Sequence, residues 1–430
     1  MLDLFWILLI CILVLFGLYF SYKLKFENFR FLNLILSLRK KYLTVFFVSI
    51  GTKIGVGSII GTAISIYTGG AGSIFWIWVF ALFTSSWIYV ESLLGSKYKQ
   101  KLNDYYVSGP NFYIKNGLNK KYLSIIFLVI LTISYSFFFL MIQTNTLNAI
   151  ININFNVNKI IVFIFAFIFL LLITFSSVKE IIKYINKVVP ILCIFLTFIS
   201  LYVIIINYSF IDDILTMIFN SALNFKSIIT GLIPTILIAV KRNIFQNELL
   251  IGTTSISSAV SDDDADADAH TIAKVQVLAN LFISFIICSL VAFLILIFKL
   301  KTNISITNYN ELISNVFTFH FSDLGCIILL ILIILFSFTT IVSGFYFGLT
   351  NITFLTKNER IIKIFRLGVL IFTFSGFLIE STIIWWLIDF MMLILILINI
   401  YCIVKLRSEI NYDRKWLGHR FKTSFWWRRF

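Results

Sequence analysis

The sequence predicts an all-α protein that crosses a membrane about eleven times. Hydrophobic residues make up 60% of the 430 residues and charged residues only 13%, and the mean hydropathy is +0.99. A soluble domain has roughly 45–50% apolar and about 25% charged residues, so this chain needs a lipid bilayer as its solvent. About 20 apolar residues span a bilayer as a helix. Apolar runs suited to this cover 4–22, 43–68, 74–96, 122–143, 159–176, 187–207, 227–246, 272–299, 325–349, 363–379 and 382–404.

The first apolar run, residues 4–22, has no basic stretch before it and no small-residue cleavage site after it. We therefore expect a retained transmembrane helix rather than a signal peptide. Together with the basic segment that follows, it forms an N-terminal unit over residues 1–42.

The net charge of +15 follows from where the basic residues stand along the chain. If the N-terminus lies outside, 30 of the 35 Lys and Arg residues fall in cytoplasmic segments. Those segments are 23–42, 97–121, 177–187, 241–274, 357–366 and the tail from Lys405. The asymmetry predicts an external N-terminus and a cytoplasmic C-terminus in a bacterial inner membrane. It also accounts for the basic character without a nucleic-acid partner.

The remaining features of the sequence are two polar segments and the scattered Cys and His residues. The acidic run 261–270, SDDDADADAH, lacks the Gly and the terminal Glu of an EF-hand, so we expect a solvated cytoplasmic insertion. The tail 405–430 is basic and aromatic, which predicts contact with an anionic leaflet. The five Cys form no CxxC pair and the three His are scattered. The sequence thus predicts no catalytic site, no metal centre and no cofactor.

Two spans carry helix-breaking residues. Residues 51–61, GTKIGVGSIIG, place four glycines in one span, and the span 227–246 contains Gly231 and Pro234. Broken helices are tolerated in a bilayer where the freed backbone groups line a cavity or meet a ligand; close helix packing is the alternative for the glycines. When the first helix is set aside, the breaks fall in helices one and six of ten. This pattern predicts two inverted five-helix repeats, 43–226 and 227–404, around a binding site near the midplane.

Several segments of the chain match, in order, the motifs of one family. They are IGVGSIIGTAISIYTGGAGSIFWIWVFAL (54–82), Glu91, SGPNFYI (108–114), QTNT (143–146), RNIFQNELLIG (242–252) and FSFTTIVSGFYFG (336–348). They resemble the sodium:alanine (alanine or glycine:cation) symporters. The resemblance implies a leucine-transporter type of fold and a secondary active transporter that imports a small neutral amino acid with sodium. It implies no obligate protein partner.

The chain departs from the family pattern mainly near the expected site. Val56 and Ser58 replace Thr and Asn, Leu249 and Leu250 replace small residues, and Gly344 replaces Trp. Ala71 replaces a Pro, and Lys53 replaces a small residue. The missing indole predicts room for substrates bulkier than alanine, unless Phe345 or another neighbour fills the space.

On this fold, the first break predicts an amino-acid site. The N–H groups of Gly57 and Ser58, which open the second half-helix, are expected to bind the substrate carboxylate. The other expected substrate contacts are Gly55, Val56, Gln143, Asn145, Gly231 and Gly344. For Gln143 and Asn145 an ordinary interfacial role is equally possible.

The predicted sodium ligands are oxygen atoms, as a hard cation requires. They are the carbonyls of Gly51, Ile54 and Phe336 and the hydroxyls of Thr339 and Thr340. The alternative for the threonines is that their hydroxyls bond back to carbonyls of their own helix.

Two charged residues are expected inside the membrane, where a charge is costly and usually functional or paired. Lys53 is predicted to weaken or replace sodium at one position and to couple transport to protons. The alternative places Lys53 in a wet vestibule or beside a carboxylate such as Glu91, which is the second coupling candidate. A proton-coupled or non-transporting relative is an alternative function. A membrane-embedded enzyme fits less well, because the three His residues are dispersed and the acidic cluster 261–270 lacks partners.

Overall fold

The computed structural model describes residues 2–102, 105–155, 178–223, 231–259 and 269–410. Within these ranges the helices are α1 Leu2–Lys23, α2 Phe31–Ser37, α3 Leu43–Lys53, α4 Val56–Gly69, α5 Gly72–Tyr98, α6 Pro110–Asn116, α7 Lys121–Ile133, α8 Phe139–Asn154, α9 Val178–Ile206, α10 Ile211–Ala222, α11 Ile233–Asn247, α12 Thr253–Ser257, α13 Ala269–Leu281, α14 Cys288–Lys301, α15 Tyr309–Phe321, α16 Asp323–Leu355, α17 Glu359–Ser375 and α18 Ser381–Lys405. The π-helical segments Ser134–Phe138 and Phe282–Ile287 join α7 to α8 and α13 to α14.

Seven helices in the described ranges are long and apolar enough to cross a membrane, and the bent pair α3–α4 makes an eighth. The predicted spans 227–246 and 363–379 correspond to α11 and α17, which have only 15 and 17 residues. The predicted span 159–176 lies outside the described residues. The molecule is a polytopic helical membrane protein, while the count of eleven and the inverted repeats stay predictions.

The described part of the chain contains one piece of β structure, which the all-α prediction did not include. Strands β1 Gln100–Leu102 and β2 Tyr105–Val107 pair antiparallel, with Gln100 opposite Val107. They follow α5 directly and lead into α6, so they shape the connection between two helices.

Two contacts show which helix ends lie together. The Lys23 ammonium at the end of α1 donates to the Arg407 carbonyl just beyond α18. At the other end of α1, Asp3 forms an ion pair with Lys241 at 2.7 Å. Lys241 thus stands beside the N-terminal end of α1, although the sequence analysis placed it in the cytoplasmic segment 241–274. The reason is that α11 runs on to Asn247, so Lys241 lies inside a helix and not at its end.

The helix α4 packs tightly against α11 through its glycines. A Cβ on Gly57 would lie 2.6 Å from the Phe245 ring, one on Gly61 2.7 Å from Gln246, and one on Gly69 2.6 Å from Ile238. Because Gly57 and Gly61 meet the C-terminal part of α11 and Gly69 meets an earlier part of it, the two helices run antiparallel. Close packing, the alternative considered for the glycines, is therefore what Gly57 and Gly61 provide.

The second break does not lie where the sequence predicted it. Pro234 lies in the first turn of α11, a position that tolerates proline. The chain leaves the helix instead after Asn247, with left-handed φ angles of 51° at Glu248 and 59° at Leu250. Gly252 has a φ of 104°, and α12 begins after it at Thr253.

The loop of this second break is held by a hydrogen-bond chain. The Asn399 amide of α18 donates to the Leu250 carbonyl at 2.8 Å, and the Tyr113 hydroxyl of α6 donates to Asn399 Oδ1. Burial, followed by the charge of Glu91, raises the pKa of Tyr113 well above the usual value of a phenol. The phenol therefore stays protonated and keeps its role as donor.

The polar segments fall mostly outside the described residues. Of the acidic run 261–270, only Ala269 and His270 are described, and they open α13 rather than a loop. Of the tail 405–430, the structure describes the part up to Ile410. Their predicted roles stay predictions.

Candidate functional site

The break between α3 and α4 releases backbone groups from both half-helices. The Gly55 N–H donates to the Lys53 carbonyl at 3.0 Å, and not four residues back to the Gly51 carbonyl. Helix α4 begins at Val56 with no side-chain cap, so the N–H groups of Val56 and Gly57 have no helical acceptor. The Ser58 N–H, in contrast, donates to the Gly55 carbonyl at 3.2 Å. The positive end of α4 thus presents the amides of Val56 and Gly57, rather than those of Gly57 and Ser58.

Gly55 is required at the break for space. Its backbone is extended, with φ −123° and ψ −163°, a conformation open to any residue. A Cβ on Gly55, however, would lie 2.1 Å from the Thr340 hydroxyl. The absence of a side chain therefore lets α16 approach the break directly.

Four of the five predicted sodium ligands meet at this approach. The Thr339 hydroxyl lies 3.5 Å from the Ile54 carbonyl and donates to the Phe336 carbonyl at 3.0 Å. The Thr340 hydroxyl donates to the same Phe336 carbonyl at 3.1 Å. The threonines thus bond to their own helix, as the alternative held, and they also face the break. These contacts bring oxygen atoms, the ligand type that hard cations take, together at the junction.

Gly51, the fifth predicted ligand, shows a packing role. A Cβ there would lie 2.7 Å from Ile185 and 2.8 Å from Val189 of α9. A side chain at Gly51 would push α9 away from α3.

The other predicted substrate contacts are spread over the molecule. The Asn145 amide donates to the carbonyls of Gly376 at 3.0 Å and Ile379 at 2.7 Å, and so braces the connection between α17 and α18. The Gln143 amide donates to Phe139 of its own helix, and its Oε1 is buried without a hydrogen bond.

Gly231 lies at the opposite end of α4 from the break. Its carbonyl accepts a hydrogen bond from Thr235, whose hydroxyl also donates to the Gly69 carbonyl at 3.0 Å. Gly69 is the last residue of α4, and the break precedes its first residue.

The space expected at Gly344 is filled. A Cβ on Gly344 would lie 2.7 Å from the Leu140 side chain and 3.3 Å from the Tyr135 ring. The neighbours that occupy the place of the family's indole are therefore Leu140 and Tyr135, rather than Phe345. The prediction of extra room for bulky substrates loses its basis.

A chain of four rings lies beside the start of α4. The ring centroids are 4.9 Å apart for Tyr135 and Phe139, 4.8 Å for Phe139 and Phe245, and 4.8 Å for Phe245 and Trp385. Phe245 is also the ring that packs on Gly57. We call these four residues the aromatic wall; it gives the break an apolar boundary.

Three ionisable side chains are buried around the end of α3. Lys53 is 3% exposed, Glu91 of α5 is 0% and Glu248 of the second break is 2%. The Lys53 ammonium interacts electrostatically with Glu248 and, less strongly, with Glu91. Within the described residues the ammonium makes no hydrogen bond. Lys53 thus lies buried near both carboxylates, without a hydrogen bond to either in the described part of the chain.

Glu248 connects the two breaks. Its carboxylate accepts a hydrogen bond from the Thr52 hydroxyl of α3 at 3.0 Å and another from the Tyr135 hydroxyl. Glu248 lies within the motif RNIFQNELLIG, and no role was predicted for it from the sequence. The available signal was an acidic residue in a segment that matches a family motif.

A buried ion pair, also missed from the sequence, lies next to the aromatic wall. Arg242 of α11 and Asp389 of α18 are joined at 2.6 Å. The guanidinium lies 4.1 Å from the centroid of the Trp385 ring. Asp389 stands in the otherwise apolar run WWLIDFMML, which was the signal for a paired charge. Arg242 gave no such signal, because it lies in the polar stretch KRNIFQN.

Comparison with known proteins gives one consistent result. The family model of the sodium:alanine symporter family matches residues 1–417. The chain is 30% identical over 421 residues to the probable sodium/glutamine symporter GlnT of Bacillus subtilis (strain 168), covering 95% of this chain and 87% of that protein. It is 30% identical over 420 residues to the amino-acid carrier protein AlsT of the same organism, covering 95% and 89%. It is 24% identical over 348 residues to the sodium/alanine symporter AgcS of Methanococcus maripaludis, covering 79% and 76%.

Proposed function

Because this chain belongs to the sodium:alanine symporter family, we propose that it is a secondary transporter that imports a small neutral amino acid with sodium. The observation that carries the proposal is the junction of α3 and α4, where free amides, backbone carbonyls and two threonine hydroxyls lie together. The relatives named above are described as symporters or carriers of amino acids, which supports the class of substrate.

The substrate is proposed to bind across the junction. Its carboxylate meets the N–H groups of Val56 and Gly57 at the positive end of α4. Its ammonium meets the Gly51 carbonyl, which the turn at Gly55 has released from the helical ladder. Its side chain lies against Phe245 of the aromatic wall, which favours a small, uncharged group over an ionic one.

Sodium is proposed to bind where α16 meets the same junction. The Ile54 and Phe336 carbonyls and the hydroxyls of Thr339 and Thr340 supply oxygen ligands. To bind the ion, each hydroxyl would rotate its proton away from the Phe336 carbonyl. Because Ile54 stands between the two half-helices, sodium at this position would fix the geometry in which α4 presents its amides. Binding of ion and substrate would then reinforce each other.

The protein is proposed to lie in the bacterial cytoplasmic membrane with its N-terminus outside and its C-terminus inside. The contact of Lys23 with the Arg407 carbonyl supports a common side for the end of α1 and the end of α18. A reporter enzyme fused to the C-terminus, active only in the cytoplasm, should be active; a silent fusion that is fully expressed would contradict the orientation.

Reconstitution in liposomes tests the function. Labelled alanine and glycine should accumulate when sodium is present outside at high concentration, and not when potassium replaces it. Empty liposomes are the control. Accumulation that ignores sodium would remove the ion from the proposal, and a reconstituted protein that moves no neutral amino acid, even by exchange, would refute the transport function.

A further inference from the structure

We propose that Lys53, Glu91 and Glu248 form one internal site that binds a single exchangeable monovalent cation, a proton or a sodium ion, during each transport cycle. The proposal rests on the transport function above and adds a second cation site to it. This site is separate from the sodium site proposed at the Ile54–Thr339 junction and shares none of its ligands. We call the three residues the charge cluster.

The charge cluster is formed from three separate parts of the chain. Lys53 is the last residue of α3, Glu91 lies in the interior of α5, and Glu248 is the first residue after α11. All three are at least nine-tenths buried. None of them therefore finds water at the molecular surface, and each depends on its neighbours for its polar contacts.

The members of the charge cluster differ in how well they are satisfied. Glu248 accepts hydrogen bonds from Thr52 and Tyr135. Lys53 Nζ and both oxygens of Glu91 make no hydrogen bond within the described residues. The backbone amides of Gly252 and Ser255 face the Glu91 carboxylate, but they do not reach hydrogen-bonding geometry. Buried polar atoms are nearly always paired, so the open positions at Glu91 and Lys53 point to a ligand.

Charge balance specifies what this ligand is. One ammonium and two carboxylates carry a net charge of −1 when all are ionised. A net charge is strongly disfavoured away from water, so the cluster is balanced by one further positive charge. A proton on a carboxyl group or a sodium ion beside Glu91 supplies that charge. A second cation would give the cluster a net charge of +1, so the charge balance sets the number of bound cations at one.

The remaining ionisable groups near the charge cluster do not change this count. Tyr113 of α6 faces Glu91 and Tyr135 faces Glu248, and both are phenols that donate hydrogen bonds. His270 of α13 is hydrogen-bonded to Tyr89 of α5 at 3.0 Å.

The other neighbouring elements bring neutral side chains to the end of α3. From α9 these are Ile185 and Val189, which meet Gly51. From α16 they are Thr339 and Thr340. No further charge therefore enters the balance from these two helices at the contacts described.

The position of the charge cluster ties its cation to transport. The Lys53 carbonyl accepts the N–H of Gly55 at the break, and Thr52 connects the same end of α3 to Glu248. Glu248 follows α11, the helix that packs on α4, so a change in the angle between α3 and α4 would strain the Thr52–Glu248 bond and alter the separation of Lys53 from Glu248. Since the attraction between the two depends on their separation, the affinity of the cluster for its cation changes with the conformation of the break.

Three variants that change the net charge of the cluster test whether it binds one cation. Glu91→Gln leaves one ammonium and one carboxylate, a net charge of zero, and should bind no extra cation. Lys53→Met leaves two carboxylates and should bind one cation more than the unaltered protein. The double variant Lys53→Met/Glu91→Gln restores a net charge of −1 and should regain the original count. Glu359→Gln, at an exposed position of α17, is the control.

The readout is the number of positive charges moved per amino acid in proteoliposomes, from the ratio of current to labelled flux. We expect one charge fewer for Glu91→Gln, one more for Lys53→Met, and the original ratio for the double variant and the control. If the cation is a proton, Glu91→Gln also abolishes the pH dependence of uptake. If it is sodium, the flux of labelled sodium per amino acid falls by one.

Exchange of internal for external amino acid, which needs no net movement of cations, is measured for every variant. The proposal would be overturned if Glu91→Gln still exchanges amino acid and its charge ratio, pH dependence and sodium flux all match those of the unaltered protein. That outcome would leave the transport function intact. Absence of exchange in the unaltered protein would refute the transport function itself. If Glu91→Gln fails to insert, Lys53→Met decides: one additional charge per amino acid supports the proposal, and an unchanged ratio overturns it.

Discussion

The Arg242 guanidinium donates to the Asp389 carboxylate at 2.6 Å, and the two side chains are only 3% and 12% exposed. The pair joins α11, the helix that packs on α4, to α18. The guanidinium also stacks on Trp385, whose ring lies against Phe245. An ion pair in such a place is sensitive to the loss of either partner, because the other charge stays buried and uncompensated.

The first prediction concerns this ion pair. Asp389→Asn should lower the free energy of unfolding by about 3–5 kcal/mol, since it leaves the arginine unpaired. Arg242→Lys should also impair amino-acid exchange, because a lysine keeps the charge but loses the planar stacking on Trp385. The measurement is the unfolding midpoint of the purified protein in detergent, together with amino-acid exchange in liposomes.

The neighbouring residue provides a matched control for the ion pair. Lys241 pairs with Asp3, whose side chain is 67% exposed, so Lys241→Met should cost about 0–1 kcal/mol. Equal effects of Asp389→Asn and Lys241→Met would show that burial of the Arg242 pair has no special importance.

The second prediction concerns the threonines at the break. Replacing both Thr339 and Thr340 by Val keeps their shape and removes two oxygen ligands. We expect the sodium concentration for half-maximal uptake to rise by at least about tenfold, or about 1.4 kcal/mol. Thr350→Val is the control on the same helix, because its hydroxyl bonds only to the Tyr346 carbonyl of α16 in the described contacts. A double variant with an unchanged sodium requirement would remove the proposed sodium site.

The third prediction concerns Gly55. A Cβ there would lie 2.1 Å from the Thr340 hydroxyl, so Gly55→Ala must push α16 away from the break. We expect weaker sodium binding and a loss of about 1–3 kcal/mol in stability. Gly368→Ala is the matched control, because its nearest contact is Phe137 at 3.6 Å. If both alanine variants bind sodium equally well, the approach of α16 to the break is not part of the site.

The parts of the site that the sequence predicted are those encoded in short segments. The glycines of 51–61 indicate a break within one span, and FSFTTIVSGFYFG carries both threonines in one family motif. The contacts that the sequence did not reveal join distant segments. Glu248 bonds to Thr52 across 196 residues, and Arg242 to Asp389 across 147. No local pattern specifies which buried charge meets which.

The position predicted for the second break was wrong for a physical reason. A glycine followed by a proline marks the start of a helix as readily as its interruption, and Pro234 does the former. The left-handed backbone that ends α11 occurs at Glu248 and Leu250. Leucine rarely adopts this conformation, so no residue type marked the turn at the position where the family pattern has a small residue.

The last prediction concerns Gly344, where the family pattern has Trp. Since Leu140 and Tyr135 occupy the space beside it, Gly344→Trp should destabilise the protein by about 1–3 kcal/mol or more through overpacking. It should also impair exchange, because displacing Tyr135 takes away a hydrogen-bond donor to Glu248. The compensating variant Gly344→Trp/Leu140→Ala makes room for the indole and should recover part of both losses, although Leu140→Ala alone is destabilising. The two changes should thus be strongly non-additive when their unfolding midpoints are compared. Additive effects would mean that Leu140 does not fill the place of the indole. In that case the missing indole at Gly344 would again predict that substrates bulkier than alanine are accepted.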